Sequence, residues 1–405
     1  MVSKGRQKLA IITTFWDWRS HANHMGERFL CGYPRDGRWH RPDFDVVGVF
    51  VDQSSEEDLS QRRAEEFGFT LYSSIAEALR LGTDALAVDG VLLIGEHGDY
   101  PANDKGQKLY PRYEYFKQVV DVYRRSRRTA PLFSDKHLSW NFKWASEMVE
   151  TSREMGFGFM AGSSLPVSRR LPSRELPPNT QVEEAVAVAD GGIDGGDIHI
   201  IEAMQSILER RRGGETGIKA VQALRGDSFW KAMAAGSWKD GGWDRQLFES
   251  ALSRCNTISP VRPNYGVVYP TLEDMRRMAP TAYAYRFEYS DGLKATVVQF
   301  QKRSGKDPGV VGDRTLAARL HGGDIFSLLF YLPYYSMRNF FNPQVHHIET
   351  LFKTNKSPYP VERTLLTTGM TAAGIESLFQ KQKRLETPHL AIRYQPTKES
   401  TFWRD

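Results

Sequence analysis

Apolar residues in the first 160 positions fall into short runs separated by longer amphipathic stretches. The runs are Lys8–Thr13, Asp45–Val51, Asp89–Gly95, Ala130–Ser134 and Phe157–Gly162. Each is nearly continuous in apolar character, as strands buried on both faces of a parallel sheet are. The stretches between them carry helical spacing. In Arg112–Ser126, Phe116, Val119, Val120 and Tyr123 recur at i, i+3, i+4 and i+7. In Trp140–Met155, Trp140, Trp144 and Met148 share a face, with Ser139 as a start signal and Gly156 as a stop. Regular strand–helix alternation predicts a doubly wound parallel sheet with right-handed crossovers.

The pattern changes at Ser164–Asn179, where four prolines fall in sixteen residues. Proline fixes φ and removes a donor, so this passage reads as an irregular crossing into a second domain. Beyond it Tyr283, Tyr285, Phe287 and Tyr289 alternate with smaller or polar residues. A turn at Asp291-Gly292 leads into Leu293–Gln301, the pattern of a hairpin. Phe326–Leu332 is a further strand, and His199–Arg212, Trp243–Arg254 and Val361–Lys383 read as helices. The expected organisation is an α/β domain over residues 1–163 and an α+β domain with a mainly antiparallel sheet over 164–405.

Composition refines this picture in a few places. Hydrophobic residues at 40% and charged residues at 25% are the balance of a globular chain. No apolar run nears the roughly 20 residues of a membrane span. The N-terminus reads as a first buried strand rather than a leader, and a cytoplasmic location is the expectation. Cys31 and Cys255 provide no disulfide framework and no cysteine-based zinc site. The net charge of +5 is small, and the basic clusters at Arg124–Arg128 and Glu209–Arg212 sit near predicted helix ends. There they complement the helix dipole. No nucleic-acid-binding motif accompanies them, so nucleic acid is not an expected partner.

Candidate chemistry gathers at the carboxyl ends of the predicted strands, where open α/β sheets bind ligands. Lys136 follows the run Pro131–Ser134, between Asp135 and His137. Either it binds a ligand there or it forms a local ion pair with Asp135. The segments around it resemble the glucose–fructose oxidoreductase / inositol dehydrogenase (Gfo/Idh/MocA) family. Asp45–Asp52 resembles the family's second strand, Val88–Pro101 the segment before its motif histidine, and Phe133–Ser139 its Glu-Lys-Pro motif. Gly191–Ala203 resembles a glycine-containing segment with a helix-borne histidine.

The resemblance covers most of the chain and implies a Rossmann domain joined to a C-terminal domain with a large open sheet. It also implies oxidation of a sugar or polyol hydroxyl with NAD or NADP, and oligomers formed through that sheet. By position, Lys136 and His199 match the residues that bind the reacting hydroxyl and handle its proton. His199 reads equally well as a satisfied histidine at a helix start. Asp52 would face the cofactor ribose and favour NAD; Thr14, Arg19 and His97 would lie along the cofactor.

The chain departs from the family at the first strand–helix turn, Thr13–His21, which has no glycine before Gly26. Glycines there normally let backbone amides approach the diphosphate. Phe15, Trp16 and Trp18 are expected to fill that volume; either the loop is displaced and Arg19 or Thr14 meets the phosphate by side chain, or no dinucleotide binds. Further departures are Gly195 in place of an aspartate and His137 in place of the motif proline.

These changes enrich the strand ends in imidazoles and carboxylates. His21, His24, His97, His137 and His199, with Asp135, Asp197 and Glu202, compose a possible site for a divalent metal such as zinc or manganese. Three functions therefore stand: a nicotinamide-dependent oxidoreductase, a metal-dependent lyase, isomerase or hydrolase on a sugar-like substrate, and a non-catalytic sugar sensor or scaffold. Gly162-Ser163-Ser164 either lines a sugar site or turns the chain. Tyr331–Phe341 stacks either on a sugar ring or on a partner subunit.

Overall fold

The computed structural model describes residues 5–262, 268–301, 309–333 and 338–404. The first half builds β1 (Gln7–Thr13), α1 (His21–Cys31), a hairpin of β2 (Tyr33–Arg35) and β3 (Arg38–His40), and β4 (Phe44–Val51). It continues with α2 (Ser60–Phe67), β5 (Thr70–Leu71), α3 (Ile75–Arg80), β6 (Gly90–Ile94), α4 (Arg112–Ser126), β7 (Leu132–Asp135), α5 (Phe142–Met155) and β8 (Phe159–Gly162). All five predicted strands are present, and α4 spans the residues its periodicity marked.

The first sheet is wholly parallel in the order β5-β4-β1-β6-β7-β8. Counted without the hairpin, this is the doubly wound order 3-2-1-4-5-6, which reverses beside β1. The turns after β1 and β6 therefore border the crevice where such sheets bind ligands. β6 is buried at every residue, which explains its unbroken apolar run.

The second half contributes β9 (Arg170–Leu171), β10 (Val182–Ala189), α6 (Asp197–Leu208), β11 (Ile218–Arg225), α7 (Asp227–Ala235), α8 (Arg245–Ser253) and α9 (Leu272–Met278). After them come β12 (Tyr283–Tyr289), β13 (Lys294–Gln299), β14 (Arg314–Leu320), β15 (Ile325–Phe330), α10 (Asn342–Thr354), α11 (Val361–Phe379) and β16 (Leu385–Glu386). Eight strands form one sheet, β16-β11-β12-β13-β10-β14-β15-β9. Only β10 and β13 pair in parallel; the other neighbours are antiparallel. The architecture is thus a Rossmann-like α/β layer joined to a large, mainly antiparallel open sheet.

Two expectations need correction. The proline-rich passage is not wholly irregular: Arg170–Leu171 pairs with Leu329–Phe330 as the outermost strand. Proline is tolerated on such an edge because half of its backbone groups need no partner. The chain also returns to its first layer at the end. Val345, Ile348, Leu351 and Phe352 of α10 share a core with Leu9, Ile11, Phe44 and Leu92 of the first sheet. Gly90 makes room for this, since a Cβ there would meet the Phe352 ring at 2.9 Å.

Candidate active-site cleft

The strand-end rule brings Lys136 and Glu96 together. β6 and β7 are neighbours, so the residues just beyond their carboxyl ends lie side by side. Lys136 Nζ donates to Glu96 Oε1 at 2.7 Å and to the Gly195 carbonyl at 3.4 Å. Arg112, fully buried in the first turn of α4, donates to the other oxygen of Glu96 at 2.6 Å. Burial opposes the Glu96 charge, but Lys136 and Arg112 outweigh it and hold the carboxyl well below its usual range. A buried carboxylate between two cations is the arrangement that makes ionisation tolerable away from water. Lys136 is therefore paired with Glu96, not with its chain neighbour Asp135. Its φ of 60° turns the backbone immediately after the strand and separates the two side chains.

Asp135 instead holds His21, the first residue of α1. His21 Nδ1 and Asp135 Oδ2 are 2.6 Å apart, with side-chain exposures of 12% and 1%. The His21 ring lies edge-on to His97, centroids 5.2 Å apart, and 6.5 Å from the ring of His199. His199 sits on α6, in the segment that also presents the Gly195 carbonyl to Lys136. Its Nδ1 is 2.5 Å from Ser163 Oγ, at the end of β8. Burial first, then the Lys136 and His21 charges, push the His199 pKa well below the usual imidazole value. The same causes in a different balance lower His97 to about 4, burial again leading.

His21, His97 and His199 open onto a cleft of about 290 Å³ lined also by Arg19, His24, Leu165, Arg314, Arg338 and Phe341. The size is near the lower bound of about 300 Å³ for small-molecule sites. Of the aromatic segment Tyr331–Phe341, residues 334–337 lie outside the described residues. Phe341 stacks on His24 with centroids 4.8 Å apart.

The expected metal set does not assemble. His137 accepts from Arg112 at 3.1 Å in a fully buried position. Asp197 turns into the second domain, accepting from the Tyr283 and Tyr285 hydroxyls at 2.7 and 2.9 Å and from Gln299 at 3.1 Å. Glu202 accepts from the Ser163 amide at 2.5 Å and from Thr364 at 2.6 Å. His24 lies flat on Phe341, and His21 is turned to Asp135. Hydrogen bonds inside the fold thus commit His21, His137, Asp197 and Glu202 to separate partners, and His24 is stacked on Phe341. Among the described residues no group of three or more His, Cys, Asp or Glu side chains is arranged to hold a metal ion.

Along the expected cofactor groove the outcome is mixed. Trp16 is not in the turn volume: it is fully buried, stacks on Phe69 with centroids 6.0 Å apart, and underlies Gly26. Trp18 is 55% exposed on a separate groove beside Tyr33 and Trp39. The two indoles therefore do not fill the first turn. Thr14 donates its hydroxyl proton to the Glu96 carbonyl at 2.6 Å, so that proton is committed within the fold. Arg19 is exposed at the cleft mouth. Asp52 stands exposed beyond β4 and accepts from the Tyr100 hydroxyl. His97 belongs to the cleft beside His21.

Glu96, Arg112 and the His21–Asp135 pairing escaped sequence reasoning. Glu96 carried a usable signal, since it follows an apolar run just as Lys136 does. Arg112 carried none, because a polar residue in a first helical turn reads as solvent-facing.

No protein-family model matches the chain, and no curated protein sequence matches it. Solved structures do share its fold. GenD2 from gentamicin A biosynthesis, in complex with NAD, superposes with a TM-score of 0.56 at 12% identity, covering 95% of this chain and 99% of that one. The myo-inositol 2-dehydrogenase from Lactobacillus plantarum gives 0.54 at 11% identity over 94% and 99%. The myo-inositol dehydrogenase from Lactobacillus casei, in complex with NAD(H) and myo-inositol, gives 0.53 at 11% identity over 94% and 96%. The chain has the fold of these dehydrogenases over nearly its whole length.

Proposed function

We propose that the protein is a Gfo/Idh/MocA-type oxidoreductase that acts on a sugar or polyol hydroxyl with a nicotinamide cofactor. The observation that carries this reading is that Lys136, just beyond β7, reaches the Gly195 carbonyl at 3.4 Å, in the segment that carries His199, and His199 lines the cleft. The two come from the end of β7 and from α6, and each is fixed by a buried partner, Glu96 and Ser163 respectively. Side chains held this way form a preorganised site for a substrate oxygen.

The residues at the groove suit a dinucleotide once the indoles are turned away. Asp52 would hold the ribose, since a carboxylate that accepts one Tyr100 bond keeps further acceptor sites. Arg19 would meet the diphosphate charge in place of glycine-exposed amides, beside the N-terminus of α1. An acid at Asp52 favours NAD over NADP. When bound, the nicotinamide supplies a hydride acceptor. The protein's own part is to grip the reacting oxygen with the Lys136 ammonium and His199 and to exclude water from it.

Calorimetric titration with NAD and NADP tests the reading. Binding of NAD, weakened at least tenfold by Asp52→Ala, is expected. No heat of binding with either cofactor at millimolar concentration would sink the proposal.

A further inference from the structure

We propose that His21, oriented by Asp135, is the catalytic base that takes the proton of the reacting hydroxyl, while Lys136 and His199 donate hydrogen bonds to the same oxygen. This rests on the oxidoreductase reading and moves the proton-handling role, which the resemblance gives to Lys136 and His199, to His21.

Tautomers and lone pairs distinguish the three side chains. An ammonium has three donors and no acceptor. Lys136 is paired with the Glu96 carboxylate at 2.7 Å inside the protein, and as an ammonium it has no lone pair to offer. His199 is set to donate as well. Ser163 Oγ accepts from the Leu165 amide at 3.2 Å. Among the described residues its hydroxyl has no other acceptor than His199 Nδ1, 2.5 Å away, and is taken to donate there. A neutral imidazole that accepts at Nδ1 carries its proton on Nε2 and presents a donor.

His21 has the opposite polarity. An ionised carboxylate only accepts, so the 2.6 Å contact with Asp135 places the His21 proton on Nδ1 and leaves a lone pair on Nε2. A carboxylate behind an imidazole fixes both tautomer and ring orientation, and it stabilises the imidazolium that forms when the base accepts a proton. The charged and titratable groups that face His21 are Asp135 after β7, Glu96 and His97 after β6, His24 on α1 and His199 on α6, with the Phe341 ring at 5.2 Å.

The step balances with a nicotinamide-type hydride acceptor as co-reactant. The O–H bond breaks toward His21 Nε2, and the oxygen's electron pair closes the new carbonyl. The C–H electron pair leaves as hydride, so the alcohol carbon is oxidised and the acceptor reduced. At 12% exposure His21 can pass its proton to solvent afterwards.

Two measurements test this. Nitrogen-15 NMR of the histidine rings in the full chain should show the Nδ1–H tautomer for His21 and the Nε2–H tautomer for His199. An Nε2–H tautomer at His21 overturns the proposal whether or not turnover is found. In kinetics with NAD and myo-inositol as probes, His21→Gln and Asp135→Asn should each lower kcat/KM by about 10²–10⁴, the range for a general base. Calorimetric NAD affinity should stay within about threefold of the parent, and free imidazole should restore part of the rate to His21→Ala. Retention of kcat/KM within tenfold in His21→Gln would overturn the assignment. Failure of the parent chain to bind NAD would count against the oxidoreductase reading instead, and the tautomer measurement would still decide the role of His21.

Discussion

Replacing Glu96 with glutamine would remove one negative charge from a site where two cations share it. Arg112 is fully buried and Lys136 is 7% exposed at the side chain, so neither can recover its hydration in the folded state. Glutamine keeps the shape and one acceptor, but it cannot accept from both Lys136 and Arg112 through ionised oxygens. Removing one partner of a buried ion pair typically costs about 3–5 kcal/mol, because the remaining charge is left uncompensated. With an unfolding entropy of about 2.1 cal/mol/K per residue over the whole chain, that cost corresponds to a fall in Tm of about 4–6 °C. Lys136→Met provides the contrast: Glu96 would keep Arg112 at 2.6 Å, so the loss should be smaller. Urea denaturation followed by tryptophan fluorescence measures both variants. A loss below about 1 kcal/mol for Glu96→Gln, or a larger loss for Lys136→Met, would refute the claim that this carboxylate is the hub of the site.

Acid should destabilise the fold. His24 is lowered to about 3 and His97, His346 and His347 to about 4, while His137 and His199 are held well below the usual value, burial being the main cause in each. The unfolded chain therefore binds more protons at these sites below about pH 6.5, and their stabilising contribution is lost as pH falls from there. Burial raises Asp194 to about 6 and Asp197 and Glu202 to about 7, so these three oppose the trend. With His389 also lowered and Glu184 also raised by burial, seven imidazoles against four carboxylates leave a net uptake on unfolding at pH 5, and urea midpoints should drop between pH 6.5 and 5; a rise would contradict this balance. Gly162→Ala should also destabilise, by roughly 1–3 kcal/mol in thermal melts. Its φ is +125°, and an added Cβ would stand 2.6 Å from Glu202 Oε1; an unchanged melting temperature would show that Glu202 moves aside at no cost.

Local periodicity alone determined much of this molecule. The five parallel strands, the span of α4, the hairpin of β12 and β13, and the position of Lys136 at a strand end all follow from neighbours within a few residues. Hydrophobic spacing reports which face of an element is buried, and a strand's end is visible where an apolar run stops. Strands that entered through mixed or short segments, such as Thr70–Leu71 and Arg314–Leu320, gave no such signal.

What the sequence could not decide was who meets whom. Asp135 and Lys136 are adjacent in the chain and look like a pair, yet one reaches His21 at the start of α1 and the other Glu96 beyond β6. Those partners are set by the lateral order of β1, β6, β7 and β8 in the sheet, which no local pattern encodes. The same reason undid the metal site. His137, Asp197 and Glu202, which share a sheet edge with the other candidates on paper, are drawn away by their individual hydrogen bonds, to Arg112, to Tyr283 and Tyr285, and to Thr364. Trp16 likewise read as an obstacle in the turn, and only packing against Phe69 and Gly26 could place it in the core. Burial and pairing are properties of distances across the sheet, and those exist only once the chain has folded.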